Sequence, residues 1–383
     1  MRADDYATGL ARLAWYVRRR FPRMDMSVDP LHLFCAGMTP QELEAMRRFL
    51  LRHGSRVTPE TLLGELCFIS ACCALGTFGT PAHTAIMTRL RANAGELLSY
   101  GLYRLKSPDP SASGLQPVGL RKRKPTATAQ RSDFSPERAE TALRDVLKLL
   151  EDGGFRPFIL SGTLLGAIRE GRLLAHDYDL DLGLFAEETN LDRLERLLNR
   201  NQQFHCLGKE YQTVILDDHD TAARRRDIPV LYKLRHVSGV ITDVFLHYRE
   251  SNRIWHGTKL FRWVNSPFTL APCDLAELSL LAPTNAEQNL TENYGDWRQP
   301  KYDFHCALDT PNLVLHPSPM ALAAAVRRFT MLASRPVEAM KLLEQMAQAG
   351  FIEPTPEKGW RIREPSYEPA ERWVGLNAEA VRA

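Results

Sequence analysis

Hydrophobic and polar positions follow several rhythms along this chain, and each predicts a different kind of element. The N-terminal rhythm is helical. Leu10, Leu13, Ala14 and Val17 recur on one helix face, and Arg18-Arg19-Arg20 closes the pattern where basic side chains favour a helix C-terminus. Thr39-Pro40-Gln41-Glu42 reads as a capping box with proline at the first helical position, and Thr58-Pro59 and Thr80-Pro81 as two more helix starts. The most apolar run, Leu62 to Phe78, is interrupted by Glu65 and by small residues, so it predicts a buried helix before a membrane span. Residues 1–106 are therefore expected to form an all-helical domain.

The rhythm then stops. Pro108, Pro110, Ser111, Ser113 and Gly114 lead into Arg121-Lys122-Arg123-Lys124 and a polar tract to Ser132. Such a composition cannot bury enough apolar surface to order itself, which predicts a flexible basic linker over 107–134. Its charge is either simply solvated or in peripheral contact with an anionic membrane or glycan.

From Ser135 to 316 helical and alternating rhythms take turns. Ser135-Pro136-Glu137 starts a helix with Leu143, Val146, Leu147 and Leu150 on one face, ending at Gly153-Gly154. Phe158-Ile159-Leu160 is a short apolar strand, Ser161-Gly162-Thr163 a small-residue turn, and LLGAIREG a short amphipathic helix carrying Arg169. Next, Asp177, Asp179 and Asp181 alternate with Tyr178, Leu180 and Leu182. On a strand that puts three carboxylates on one face and the apolar residues on the core face. Leu191, Leu194, Leu197 and Leu198 mark another helix. Val230 to Val237 and Val240 to Tyr248 read as a hairpin around Ser238-Gly239, with Asp243 on the same face as Ile241, Phe245 and His247. Met320 to Leu332 and Pro336 to Ala349 predict two C-terminal helices, and the tail from Glu353 is expected to lie on the surface. The whole is an α+β chain: a mixed sheet with helices, preceded by a helical domain and followed by helices and a tail over 317–383.

Composition narrows the possible functions. The 383 residues suffice for two or three domains, and 44% hydrophobic with 25% charged residues is ordinary for a globular protein. A net charge of +3 gives no reason to expect nucleic acid as a partner. Seven cysteines without a Cys-x-x-Cys pair suit a reducing compartment and speak against a zinc site. Met1-Arg2-Ala3-Asp4-Asp5 opens no secretory signal, so a cytoplasmic protein is expected, with contact to an inner membrane at most peripheral.

The acidic strand carries the chemistry. Three carboxylates on one face repel one another unless a cation lies among them, and hard oxygen ligands suit Mg²⁺ or Mn²⁺. Alternate residues are roughly 6.5 Å apart along a strand, so a pair of ions or a twisted strand is needed to use all three. Asp177, Asp179, Asp181 and Glu188 also fall at calcium-loop positions, but Leu182 stands where that loop needs glycine. Gly162 lets backbone approach a ligand, Thr163 adds a hydroxyl, and the N–H groups opening the next helix suit an anion. Asp243, an aspartate among apolar neighbours, is costly to bury unpaired and reads either as a capped or salt-bridged strand residue or as a further metal carboxylate. Arg169 is available either to phosphate or to a structural ion pair. Arg224-Arg225-Arg226 reads as a flexible solvated loop, with an approach to donor phosphates or an anionic acceptor as the alternative. Trp255 to Lys259 reads as a turn, with Lys259 either a phosphate ligand or an exposed residue, and Tyr294 as packing on the far side of the domain.

Gly-Thr followed by a spaced Asp-x-Asp resembles the nucleotidyltransferase fold shared with polymerase β. The longer string GTLLGAIREG…HDYDLDLG is similar to the LicD/fukutin family of phosphotransferases, and VITDVFLHY (240–248) and ENYGDWRQP (292–300) resemble family elements in the same order. The resemblance covers about Arg138 to Leu315. It implies a nucleotidyltransferase-like domain over 135–316 that uses Mg²⁺ or Mn²⁺. It implies a CDP-linked donor (CDP-ribitol, CDP-glycerol or CDP-choline) and transfer of the alkyl phosphate to a glycan or glycolipid hydroxyl. On the matching positions Asp177, Asp179, Asp181 and Asp243 become metal ligands. Gly162, Thr163 and Arg169 become phosphate contacts, and Asp181 or Asp243 the acceptor of the hydroxyl proton. His176 is an alternative proton shuttle. An NTP-dependent nucleotidyltransferase and an inactive glycan-binding module are the competing expectations.

Overall fold

The computed structural model describes residues 135–175, 177, 179–216, 224–275, 277–301, 304–332, 335–356, 359–363 and 369–370, with scattered helical positions from 94 to 105. The expected helices before residue 94 and the linker 107–134 lie outside the described residues. Contacts divide the chain into two units. One comprises Met1–Arg123 with Pro317–Tyr367, the other Lys124–His316 with Glu368–Ala383.

The second unit begins with α1 (Pro136–Asp152), whose first turn is capped by Ser135 Oγ accepting from the Arg138 N–H at 3.2 Å. Its apolar face, Leu143, Val146, Leu147 and Leu150, is buried as the spacing predicts. There follow β1 (Phe158–Ile159), α2 (Ser161–Glu170), β2 (Asp179–Phe185) and α3 (Leu191–Arg200), the last capped by Asn190. Leu180, Leu182 and Leu184 all point into the main core, each at most 1% exposed, which leaves the opposite face of β2 to the aspartates. A run of seven strands comes next: β3 (Phe204–Leu216), β4 (Arg224–His236), β5 (Ile241–Arg249), β6 (Ile254–Gly257), β7 (Phe261–Asn265), β8 (Leu270–Leu275) and β9 (Leu278–Pro283). After them stand α4 (Ala286–Tyr294), α5 (Cys306–Asp309) and β10 (Leu313–Leu315).

The large sheet is mixed, as expected. Its order is β10-β7-β6-β5-β4-β3, and β2 joins it by pairing in parallel with β5 while β1 pairs antiparallel with β2. β8 and β9 form a separate hairpin. The β4–β5 hairpin turns at Ser238-Gly239, where Gly239 takes φ +94°, a conformation that side chains other than glycine's rarely adopt. One consequence of this topology matters most: β5 is flanked by β2 on one side and β4 on the other over the same residues.

Two expectations are corrected here. Arg224 to Arg226 are no loop: their backbone opens β4 and pairs with Leu216, Ile215 and Val214 of β3. Trp255 to Gly257 belong to β6 instead of a turn, and Lys259 is 7% exposed, not at the surface. The tail from Glu353, none of whose residues with a described burial is buried, carries short strands. β11 (Ile352–Pro354) and β12 (Trp360–Ile362) form a hairpin, and β13 (Pro369–Ala370) adds a parallel strand beside β3.

In the first unit the two predicted C-terminal helices are α6 (Pro319–Leu332) and α7 (Pro336–Gln348), the latter stopped by Gly350 at φ +69°. Among the described residues no helix is long and apolar enough to cross a membrane.

Candidate metal centre

Strand register builds this site. In the parallel pair Asp181 of β2 stands directly opposite Asp243 of β5, and in the antiparallel pair Asp243 stands opposite Lys233 of β4. Neighbouring strands are about 4.8 Å apart, so three charged side chains lie in one row across the sheet. Asp179, one pleat earlier on the same face of β2, completes a group in which one carboxylate oxygen from each of the three aspartates lies within 4.8 Å of the others.

Each member is held from a different element. The β1–α2 elbow forces Ser161 to φ +48°, a left-handed conformation that costs a non-glycine residue energy and is tolerated where the surroundings fix it. Just beyond it, the Gly162 N–H donates to Asp181 Oδ2 at 3.1 Å, and Thr163 Oγ1 accepts from the Asp181 N–H at 2.9 Å. Gly162 and Thr163 thus fix both the backbone and the side chain of Asp181. Across the sheet, Lys233 Nζ lies 2.7 Å from Asp243 Oδ2. The other oxygen, Asp243 Oδ1, is fully buried and makes no hydrogen bond.

Asp177 departs from the expected pattern. β2 begins at Asp179, so Asp177 precedes the strand and reaches the group differently. Its Oδ2 fills the space where a side chain on Gly162 would begin, 2.3 Å from the position of a Cβ there. Gly162 therefore exists for a close approach of carboxylate to backbone. Gly162→Ala is expected to push Asp177 and Asp181 out of place and to weaken Mn²⁺ binding about tenfold to hundredfold, the usual cost of losing a support behind a metal ligand. Titrating Mn²⁺ into both proteins checks this; equal affinities would show that the glycine is incidental.

Arg169 is not brought to the aspartates. It lies seven residues along α2 from Gly162, roughly 10 Å up the axis. There its guanidinium donates to the Trp297 carbonyl at 3.2 Å and to Glu170 at 3.0 Å. Tyr294, expected on the far side, is instead close enough to feel the group. Burial pushes its phenol well above the usual range, and Asp181, Asp177, Cys306 and Asp179 add to that. The C-terminal turn of α4 thus forms one wall, packed on α2.

Electrostatically the group is under strain. Burial, then the charges of Asp243 and Asp177, pushes Asp179 up to about 8, with Lys233 opposing. Burial followed by Asp179, Asp177 and Asp243 holds Asp181 well above the usual carboxylate range. Asp243 is raised by burial and eased by Lys233. Such carboxylates keep protons until a cation replaces them. Oxygens around one Mg²⁺ lie at most about 4.2 Å apart, so a small contraction would bring three of them into one shell. With hard donors only, and one buried oxygen lacking any partner, the residues fit a hard divalent ion. A calcium loop is ruled out by the backbone, which is a strand from Asp179 onwards.

Sequence reasoning missed Lys233, although a signal existed. A hairpin turning at Ser238-Gly239 places residues five before and five after Ser238 side by side, and these are Lys233 and Asp243. His247 shares the Asp243 face as expected but belongs to an aromatic layer, stacked on His256 at 4.4 Å and edge-on to Phe158 at 4.8 Å.

Comparison with known proteins decides the family. Residues 154–284 match the family model described as LicD/FKTN/FKRP, nucleotidyltransferase domain. This segment belongs to the LicD/fukutin-like family. The chain is 23% identical over 185 residues to the mouse (Mus musculus) ribitol-5-phosphate transferase FKTN, an alignment covering 46% of this chain and 37% of the relative. Its human counterpart is 24% identical over 183 residues, covering 46% and 36%. Mouse ribitol 5-phosphate transferase FKRP is 47% identical over 49 residues, 13% of this chain and 10% of that protein. The chain thus spans little more than a third of the length of the first of these curated relatives and less of the others. The LicD/fukutin-like segment contains β1 to β9, and with them Gly162, Thr163, the four aspartates and Lys233.

Proposed function

We propose that the LicD/fukutin-like domain is a metal-dependent phosphotransferase that moves an alkyl phosphate from a CDP-linked donor to a hydroxyl of a glycan or glycolipid. The observation that carries this reading is the row Asp181–Asp243 across two parallel strands, with Asp179 beside it and one buried Asp243 oxygen left without a partner. Asp179, Asp181 and Asp243 hold Mg²⁺ or Mn²⁺, with Asp177 at their edge. The bound ion supplies charge stabilisation at the attacked phosphorus and the departing oxygen. In the reaction the acceptor oxygen bonds to the phosphorus that carries the alcohol, the bond from that phosphorus to the bridging oxygen breaks, and CMP leaves. The hydroxyl proton passes to a carboxylate of the group. Asp181, fixed by Gly162 and Thr163, and Asp243, fixed by Lys233, are the two that the fold holds in place. Gly162 and Thr163 stand at the N-terminal end of α2, where a phosphate is favoured. That the relatives are ribitol phosphate transferases supports a polyol phosphate as the transferred group, which puts CDP-ribitol first among donors.

A thermal-shift panel tests the reading, with Mg²⁺ and CDP-ribitol, CDP-glycerol, CDP-choline, CTP or ATP. A ligand at about a hundred times its Kd stabilises by roughly 2.7 kcal/mol, which is readily seen. A Mg²⁺-dependent shift with a CDP-alcohol is expected. A shift with CTP or ATP alone would make the protein a nucleotidyltransferase of another kind. No Mg²⁺-dependent shift with any of the five would leave the acidic strand structural.

A further inference from the structure

Beyond the metal ligands, the centre has a positive charge built in, Lys233 Nζ, 2.7 Å from Asp243 Oδ2. The four aspartates and a donor diphosphate would carry more negative charge than one or two divalent ions neutralise, so the donor needs a cation from the protein. Arg169 is engaged with Trp297 and Glu170. Lys233, among the described residues, is a cation whose charge reaches Asp243, Asp179 and Asp181 together. Its side chain is 39% exposed, whereas that of Asp243 is 9% exposed, so Lys233 links a buried carboxylate to solvent. A lysine on a flexible four-carbon stem can change partners by rotation alone.

We propose that Lys233 is the binding residue for the donor diphosphate, an inference that rests on the metal-dependent reading above. Without metal, the ammonium is held by Asp243 and shields the carboxylate row. When a divalent ion takes Asp243, the ammonium is released and turns to the phosphate oxygens. The lysine therefore keeps the empty centre folded and the loaded centre charge-balanced, which couples donor binding to prior metal binding.

The test measures Mn²⁺ binding, then CDP binding to the Mn²⁺-loaded protein, for wild type, Lys233→Gln and Lys233→Arg, with cytidine as the probe that lacks phosphates. Glutamine still donates a hydrogen bond to Asp243, so the fold survives while the charge is gone. Lys233→Gln is expected to bind Mn²⁺ at least as tightly as wild type and CDP about tenfold or more weakly, the loss that follows removal of a hydrogen bond to a charged group. Lys233→Arg recovers part of the CDP affinity, and cytidine distinguishes none of the three. Unchanged CDP affinity in Lys233→Gln, with Mn²⁺-dependent CDP binding intact in wild type, overturns the role of Lys233 alone. Wild type that binds no Mn²⁺, or no CDP in its presence, overturns the metal-dependent reading and this inference with it.

Discussion

Asp181→Asn is expected to lower metal-dependent transfer by about three orders of magnitude or more, since a lost metal contact at the reacting phosphate is worth several kcal/mol and each 1.36 kcal/mol is tenfold. The same substitution is expected to raise the melting temperature of the metal-free protein. Asparagine can still accept the Gly162 N–H at its side-chain oxygen, and the Thr163 contact uses only the backbone of residue 181. The change therefore removes a charge while leaving the local scaffold. That charge is repelled by Asp179, Asp177 and Asp243 and is buried. Without metal, folding must therefore put a proton on this carboxyl, a cost that asparagine does not carry; with metal the substitution is a lost ligand. Melting wild type and variant in EDTA and in Mg²⁺ separates the two effects. Mg²⁺ should stabilise wild type and leave the variant almost unmoved. A variant that keeps a tenth or more of the activity, or that responds to Mg²⁺ like wild type, would remove Asp181 from the centre.

How much of this was legible before the structure depends on which residues carried a clean period. Leu180, Leu182 and Leu184 alternate without interruption, so β2 and the face bearing Asp179 and Asp181 could be read directly. Asp243 was reachable because an aspartate flanked by Val, Phe and His on a strand has no cheap buried state. β3 was not reachable. Its sequence places Gly208, Lys209 and Glu210 mid-strand, and the ladder to β4 is irregular on both sides of them, so no period of two survives. With β3 missing, the arginines facing it across the ladder, Arg224 to Arg226, read as loop. Asp177 was placed on the strand because its spacing fits; only the three-dimensional approach to Gly162 shows that it arrives from the preceding segment. Tyr294 carries no local sign of its position, because helix α4 is delivered to the aspartates by packing on α2 and not by anything in its own pattern.

The same crowding of carboxylates predicts an unusual pH dependence. In the unfolded chain Asp179 has its ordinary value near 3.8; in the folded chain burial and neighbouring aspartates push it up to about 8. Between those values the folded state holds a proton that the unfolded state has released. Stability therefore falls as pH rises, by up to about 1.4 kcal/mol per pH unit for each such proton. The contribution is fully present below the unfolded value and is lost as pH passes through about 8. Asp181 and Asp243 are raised too and act in the same direction. A divalent ion reverses the trend, because it binds the deprotonated carboxylates and so gains affinity as pH rises. Denaturant melts between about pH 5 and pH 9 should then give two diverging curves, falling in EDTA and level or rising in Mg²⁺. Other groups titrate in this range, so the decisive quantity is the difference from Asp179→Asn, whose metal-free curve should be flatter. If wild type and Asp179→Asn lose stability in parallel in EDTA, Asp179 does not hold its proton in the folded protein, and the crowding inferred for the row of carboxylates is wrong.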